Sequence, residues 1–358
     1  MQIKKYLFLA IITFFSGSIS AQKTGKDFTT KFEKSKGTET ATYQETIAFY
    51  KDLAAAYPEI SLLEMGKTDS GFPLHLVVFS ASKEFDFSKI HDSKKNIILI
   101  NNAIHPGESD GVDASMMLLR DIVQDKNQLK KLGNVVLAVI PVYNIGGALN
   151  RNSYSRANQN GPKEYGFRGN AQNYDLNRDF IKADSKNAKS FAEIFHLVKP
   201  AVFIDNHVSN GADYQHVMTL ISTQHNRLGG KLGSYLNQEM NPMLYEKMKA
   251  KEFPMVPYVN AYGSKPEDGW NQFKDSGRYS SGYAALFSTL SFMPETHMLK
   301  LYDQRVKSTY ALFETFIEVF QKDGDKIVEM AKEDRMTRKT QKEFALNHVL
   351  DKNQHSLI

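Results

Sequence analysis

Three short runs constrain this chain most. They are NIILIN at 96–101, VVLAVI at 135–140 and AVFID at 201–205. Each is almost wholly apolar and too short for a buried helix. None alternates with polar residues as a half-solvated strand does. Such runs are strands covered on both faces, which is the habit of a parallel sheet. A later run, STLSFMP, ends before Glu295 in the same manner. Between these runs lie helical segments. GVDASMMLLRDIVQD is one, and DSKNAKSFAEIFHLVKP, capped by Asp184 or Ser185, is another. The alternation predicts an α/β fold with a mixed, mostly parallel sheet flanked by helices.

Other elements fit around this frame. TYQETIAFYKDLAAAYP, from Thr42 to Pro58, has a Thr start and a Pro stop for a helix. ISLLEMGKTDSGFPLHLVVFSA reads as two strands joined at Asp69-Ser70-Gly71. Residues 145–180 form a Gly-, Asn- and Arg-rich loop too long to be a mere connector. A long helix is expected from Asp303 to about Arg335. No linker or internal repeat divides the chain, so one domain is expected over 42–335, followed by a polar tail over 336–358.

The first 23 residues, MQIKKYLFLAIITFFSGSISAQK, have the form of an export signal. Lys4 and Lys5 precede an apolar run from Tyr6 to Phe15, and small residues follow through Ala21. Residues 1–21 are therefore expected to be a signal peptide and residues 22–41 a loose polar leader. The apolar run is short of the ~20 residues that a spanning helix needs. The expectation is an exported protein, periplasmic or secreted, with no membrane span after cleavage. The chain has no cysteine, so disulfides and thiolate metal sites are excluded. Its formal charge of +5 comes without a dense Lys/Arg block, so no nucleic-acid partner is expected.

In open α/β sheets, ligands bind beyond the carboxyl ends of the strands. His105 and Glu108 follow the first run, His207 the third, and Glu295 the last. Two histidines and a glutamate make a three-ligand zinc set with a fourth position left for water. A separate carboxylate beside it can take the water's proton. The Pro-Gly between His105 and Glu108 favours a sharp turn that aims both side chains at one ion. Between these segments lies GNAQNYDLNRDF. Its Arg178 can grip a carboxylate bidentately with Asn177 adding a hydrogen bond, and Asp175 can orient a ligand histidine. Upstream, Arg151 and Arg156 are candidates to polarise a carbonyl.

His105-Pro106-Gly107-Glu108, then Asp175-Leu176-Asn177-Arg178-Asp179-Phe180, then His207, then Glu295-Thr296-His297 resembles the zinc carboxypeptidase family in that order. The match extends over most of 45–320. The resemblance implies an eight-stranded mixed sheet and one catalytic Zn2+ per chain held by His105, Glu108 and His207. It implies Glu295 as the general base and later the acid, with Arg178 and Asn177 clamping a substrate's C-terminal carboxylate. Asp175 would support His105, and Arg156, in preference to Arg151, would carry the oxyanion. A tyrosine, Tyr279 or Tyr283, would close over the substrate, which is a peptide with a free C-terminal carboxylate. Gly107, MPETHM and NIGG depart from the digestive members and leave the substrate open. A zinc amidase acting on cell-wall peptides or N-acyl amino acids is the alternative. An inactive exported binding protein is a further one.

Overall fold

The computed structural model describes residues 26–261, 265–344 and 349. The expected signal peptide lies outside the described residues, as does most of the expected tail.

The apolar runs form strands. In chain order these are β1 (Ile60–Lys67), β2 (Pro73–Ser80), β3 (Asn96–Asn101), β4 (Val135–Ile140), β5 (Val202–Asp205), β6 (His207–Val208), β7 (Met218–Ser222), β8 (Met255–Pro257), β9 (Val259–Ala261), β10 (Trp270–Gln272) and β11 (Leu290–Thr296). One mixed sheet runs β1-β2-β4-β3-β5-β11-β7-β8, with β6 continuing beside β11; β9 and β10 pair separately. The centre, β4-β3-β5-β11, is parallel. The β1–β2 hairpin pairs antiparallel, with Asp69-Ser70-Gly71 between its strands.

The strands are continuously apolar because both faces are packed. Ile98, Ile100, Leu137, Val139 and Ile204 enter one core, and Ile97, Leu99, Val136, Ala138 and Phe203 enter the other. The first core is covered by α1 (Tyr43–Ala56), α2 (Asp110–Gln124) and the long α6 (Tyr302–Thr340); the second is covered by α3 (Lys186–Val198). Thr42 caps α1 through a reciprocal pair with Glu45, and Ser185 caps α3. The remaining labelled helices are α4 (Asn241–Ala250) and α5 (Ser280–Ala285).

Two expectations change. Residues 26–41 are not a loose leader. Phe28 and Phe32 are buried in the first core, Phe32 meets Tyr302 edge-on, and Arg120 pairs with Glu33. Two phenylalanines in a polar segment are enough to bind it to the domain. The last helix also outruns its expected end near Arg335. Asp334 accepts from the backbone of Lys231 and Leu232, and Arg338 donates to the carbonyls of Ala285 and Leu228. These contacts hold the final turns against the domain. No helix among the described residues is long and apolar enough to cross a membrane.

Where α2 and α6 cross, a buried polar network replaces apolar packing. Tyr302 donates to Asp113 at the start of the crossing, and fully buried Arg305 lies 3.3 Å from Asp110. Asp110 also accepts from Thr296 at 2.5 Å, which ties the end of β11 to α2. Burial pushes the Asp113 carboxyl up to about 7, against the pull of the Thr40 and Tyr302 hydroxyls. An unfolded aspartate titrates near ~3.9. Between about pH 4 and pH 7 the folded chain therefore holds this proton more tightly. The group's contribution to stability falls as pH rises through that window and levels above it. Tyr302→Phe should cost ~1–3 kcal/mol at pH 8, where the buried carboxylate is charged and loses its donor, and less at pH 5. Urea unfolding at the two pH values checks this, and equal losses at both would refute the coupling.

Candidate metal centre and cleft

The strand ends converge as the topology requires. β3 leads into the segment carrying His105 and Glu108, and β5 leads into His207 on β6. Glu295 on β11 lies directly beside His207 in the parallel register. Pro106 and Gly107 form the turn, closed by Glu108 N donating to His105 O at 2.8 Å. Gly107 is required by close approach, since a Cβ there would sit 2.5 Å from Arg156 Cδ.

His105, Glu108 and His207 are buried, and each offers a ligand atom within 4.8 Å of the others. Both Nδ1 atoms face Glu108, each 3.1 Å from one of its carboxylate oxygens. Both Nε2 atoms face away, toward Asp175 at 2.9 Å and Asp205 at 3.1 Å. Nε2 protons shared with these aspartates leave the inner nitrogens with lone pairs. Three electron-rich donors then meet in one buried space, and a cation relieves their mutual repulsion. A His2Glu set of this kind fits zinc. The same donors draw protons. Burial by itself would push His207 down, but Asp205 and Glu108 carry it well above the usual imidazole range. Burial would raise Glu108, but His105, Arg156 and His207 hold it well below the carboxylate range.

Glu295 shifts the opposite way. Burial and the neighbouring Glu108 push it up to about 7, although His207, His105 and Arg156 pull it down. It lines one cavity with the three candidate ligands, Arg168, Asn177 and Arg178.

The segment Asp175–Phe180 divides its work residue by residue. Asp175 bonds His105 and pairs with Arg168 at 2.9 Å. Leu176 and Phe180 enter the second core. Asp179 accepts from the backbone and hydroxyl of Ser185, pinning the start of α3. Asn177 and Arg178, the two left over, face the cavity. The Asn177 side-chain oxygen is buried without a protein partner. The Arg178 guanidinium lies 4.7 Å from the centre of the Tyr279 ring.

Of the two tyrosines, Tyr279 lines the cavity. Tyr283 lies in the second core against Phe180, Phe195 and Phe287, with its hydroxyl 3.3 Å from His196. The difference follows from α5. Tyr279 is its N-cap, while Tyr283 is one turn further on, on the side facing α3. The arginines also separate. Arg151 donates to the carbonyls of Glu164 and Ala41, away from the cavity. Arg156 is held by Glu108 at 2.5 Å, Gln159 and the carbonyls of Val208 and Ser209. It lines an adjoining cavity with Ser155, Phe167 and Met298. Arg168 lines both cavities and reaches within 3.3 Å of His105.

Sequence reasoning missed Asp205 and Arg168. Asp205 stands two residues before His207, and an aspartate at that spacing was the available signal. Arg168 had no local pattern to mark it, because its partner Asp175 is seven residues on, across an irregular loop.

Residues 46–237 match the zinc carboxypeptidase family. Solved structures share the fold at low identity. A metallo-carboxypeptidase from Burkholderia cenocepacia is 16% identical with a TM-score of 0.57, covering 78% of this chain and 69% of its own. One from Pseudomonas aeruginosa, in complex with (2-guanidinoethylmercapto)succinic acid, is 14% identical with a TM-score of 0.58, covering 80% and 70%. Carboxypeptidase A from Helicoverpa armigera is 13% identical with a TM-score of 0.54, covering 84% and 75%. No curated protein matches in sequence.

The centre makes a direct prediction. In chelator-competition titrations with zinc, His207→Ala should lose high-affinity binding. Asp205→Asn should keep one site but weaken it by ~10–100-fold. Wild-type affinity in Asp205→Asn would show that this carboxylate does not support the centre.

Proposed function

Because the chain belongs to the zinc carboxypeptidase family, we propose that it is a metallocarboxypeptidase that removes residues from the C-termini of peptides. The observation carrying this reading is one cavity with a potential metal set and a free carboxylate at one part and a carboxylate-binding pair at another. His105, Glu108 and His207 would hold the ion. Bound zinc supplies a water of lowered pKa and polarises the scissile carbonyl.

The chain's own groups do the rest. Arg178 and Asn177 receive the substrate's terminal carboxylate, which makes the cut exo- and C-terminal. The buried Asn177 oxygen without a partner and the Tyr279 ring over Arg178 support that end as a ligand site. Glu295 takes the proton of the attacking water and returns it to the leaving amine. Its raised value suits both halves of that exchange. Arg168 is the arginine we assign to the developing oxyanion, because it lines the cavity that holds Glu295 and the candidate ligands while also pairing with Asp175, whereas Arg156 lines the adjoining cavity and is held by Glu108 and two carbonyls. Asp175 and Asp205 hold the histidine rings. Tyr279 covers the substrate. Export through the segment ending at Ala21, to a periplasmic or secreted location, remains part of the proposal on the strength of Lys4, Lys5 and the apolar run.

Glu295→Gln should retain zinc and lose ~10²–10⁴-fold in kcat, read by metal analysis and peptide turnover. Near-normal turnover in that variant would sink the base assignment. Amidating the substrate's C-terminus should abolish most of wild-type cleavage, and Arg178→Ala should cost ~2–5 kcal/mol in kcat/KM on free carboxylates. Equal cleavage of amidated and free peptides would rule out carboxylate recognition.

A further inference from the structure

The uncharged wall of the cleft carries information that the motifs do not. Side chains two residues apart on a strand share a face, about 6–7 Å apart. Met293 therefore faces the same way as Glu295 on β11. In the antiparallel pairing with β7, Met293 stands opposite Ile221, and Glu295 stands opposite Thr219. Met293 and Ile221 are both nearly fully buried and line the cavity beside Glu295. The remaining uncharged wall is Tyr258, Phe273 and Tyr279 with Val208 and the amides Asn177 and Asn210. Phe273 and Tyr279 meet edge-on with ring centres 4.9 Å apart, and Tyr258 lies nearby. The charged groups lining the cavity are His105, Glu108, His207, Glu295, Arg168 and Arg178. All have tasks at the metal, the reacting carbonyl or the terminal carboxylate.

We infer that the enzyme selects peptides whose C-terminal residue is apolar and uncharged, with Met293 and Ile221 as the floor of its side-chain pocket. This rests on the carboxypeptidase reading above. With the terminal carboxylate on Arg178 and Asn177 and the scissile carbonyl at the metal set, the Cα of the last residue lies between them. Its side chain turns to the remaining wall. A Lys, Arg, Asp or Glu side chain there would lose its hydration against Met293 and Phe273 with no counter-charge assigned to meet it. An apolar side chain gains from leaving water. The specificity wall is thus split. Phe273 and Tyr279 come from the stretch before β11, while the floor comes from the two paired strands.

The test uses zinc-loaded full chain and N-blocked dipeptides that differ only in the last residue. The set contains Ala, Leu, Met, Phe, Lys, Arg, Asp and Glu. Leu, Met and Phe should exceed each charged residue by at least about 100-fold in kcat/KM. Met293→Asp places a counter-charge on the floor and should raise Lys and Arg relative to Leu by at least about tenfold. Met293→Ala deepens the pocket without charge and should favour Phe over Leu. A wild-type preference for charged residues, or indifference, overturns this inference while leaving the carboxypeptidase reading intact. Release of no C-terminal residue from any peptide overturns both. The wild-type panel decides the matter even if the Asp variant does not fold.

Discussion

Glu108 is the point on which the rest of the centre depends. It is a buried carboxylate reached by two imidazoles, the backbone N–H of Val208 and the Arg156 guanidinium. A carboxylate withdrawn from water is costly unless such partners surround it. Those partners come from the loop after β3, from β6 and from the long loop after β4. Satisfying Glu108 therefore requires the parallel strands to end together. The sheet's topology and the chemistry of its edge are one constraint.

That constraint separates two carboxylates sharing one cavity. Glu108 is held ionised by His105, Arg156 and His207, which hydrogen-bond to it, whereas burial and the neighbouring Glu108 push Glu295 up to about 7 although the same three groups pull it down. One is suited to hold a cation and the other to exchange a proton near neutrality. Behind the centre, Asp175 and Asp205 fix the outer nitrogens of the two histidines from opposite strands and loops. Asp205 is itself bonded by Asn101 at 2.8 Å, so the support continues into β3. A further tie runs from Thr296, next to Glu295, through Asp110 to buried Arg305 on α6. The long helix is thereby linked to the strand bearing the candidate base by a hydrogen bond and a buried ion pair, and not only by apolar contact.

Much of this was legible in residue order. Apolar runs of four to six residues marked the buried strands, because a strand covered on both faces has no polar side to show. The Thr42 and Ser185 caps, the Asp69-Ser70-Gly71 turn and the His-Pro-Gly-Glu turn are local devices that short sequences specify. Asp175–Phe180 was conspicuous for its Asp, Asn and Arg, which suit a carboxylate grip and the support of a histidine. Local pattern failed where contacts were long-range. Phe28 and Phe32 looked solvated because their neighbours are polar. The surface that buries them is made by nearby α1 together with α2 and α6, which lie far along the chain. Arg156 and Arg168 are alike as residues, and only the path of the 145–180 loop shows that Arg156 bonds Glu108 at 2.5 Å while Arg168 pairs with Asp175 and lines the cavity beside Glu295.

By itself, the sequence determined the α/β class, the family and the residues available for a metal, a base and a carboxylate grip. These depend on periodicity, turn chemistry and residue type, which are properties of neighbours in the chain. Only the tertiary structure decided that Tyr279 and not Tyr283 faces the cleft, that Asp205 backs His207, and that Met293 and Ile221 form a floor beside Glu295. Those outcomes depend on strand register and helix phase, which pair residues more than 70 positions apart in the case of Ile221 and Met293. Such pairings are set by the packing of the whole domain.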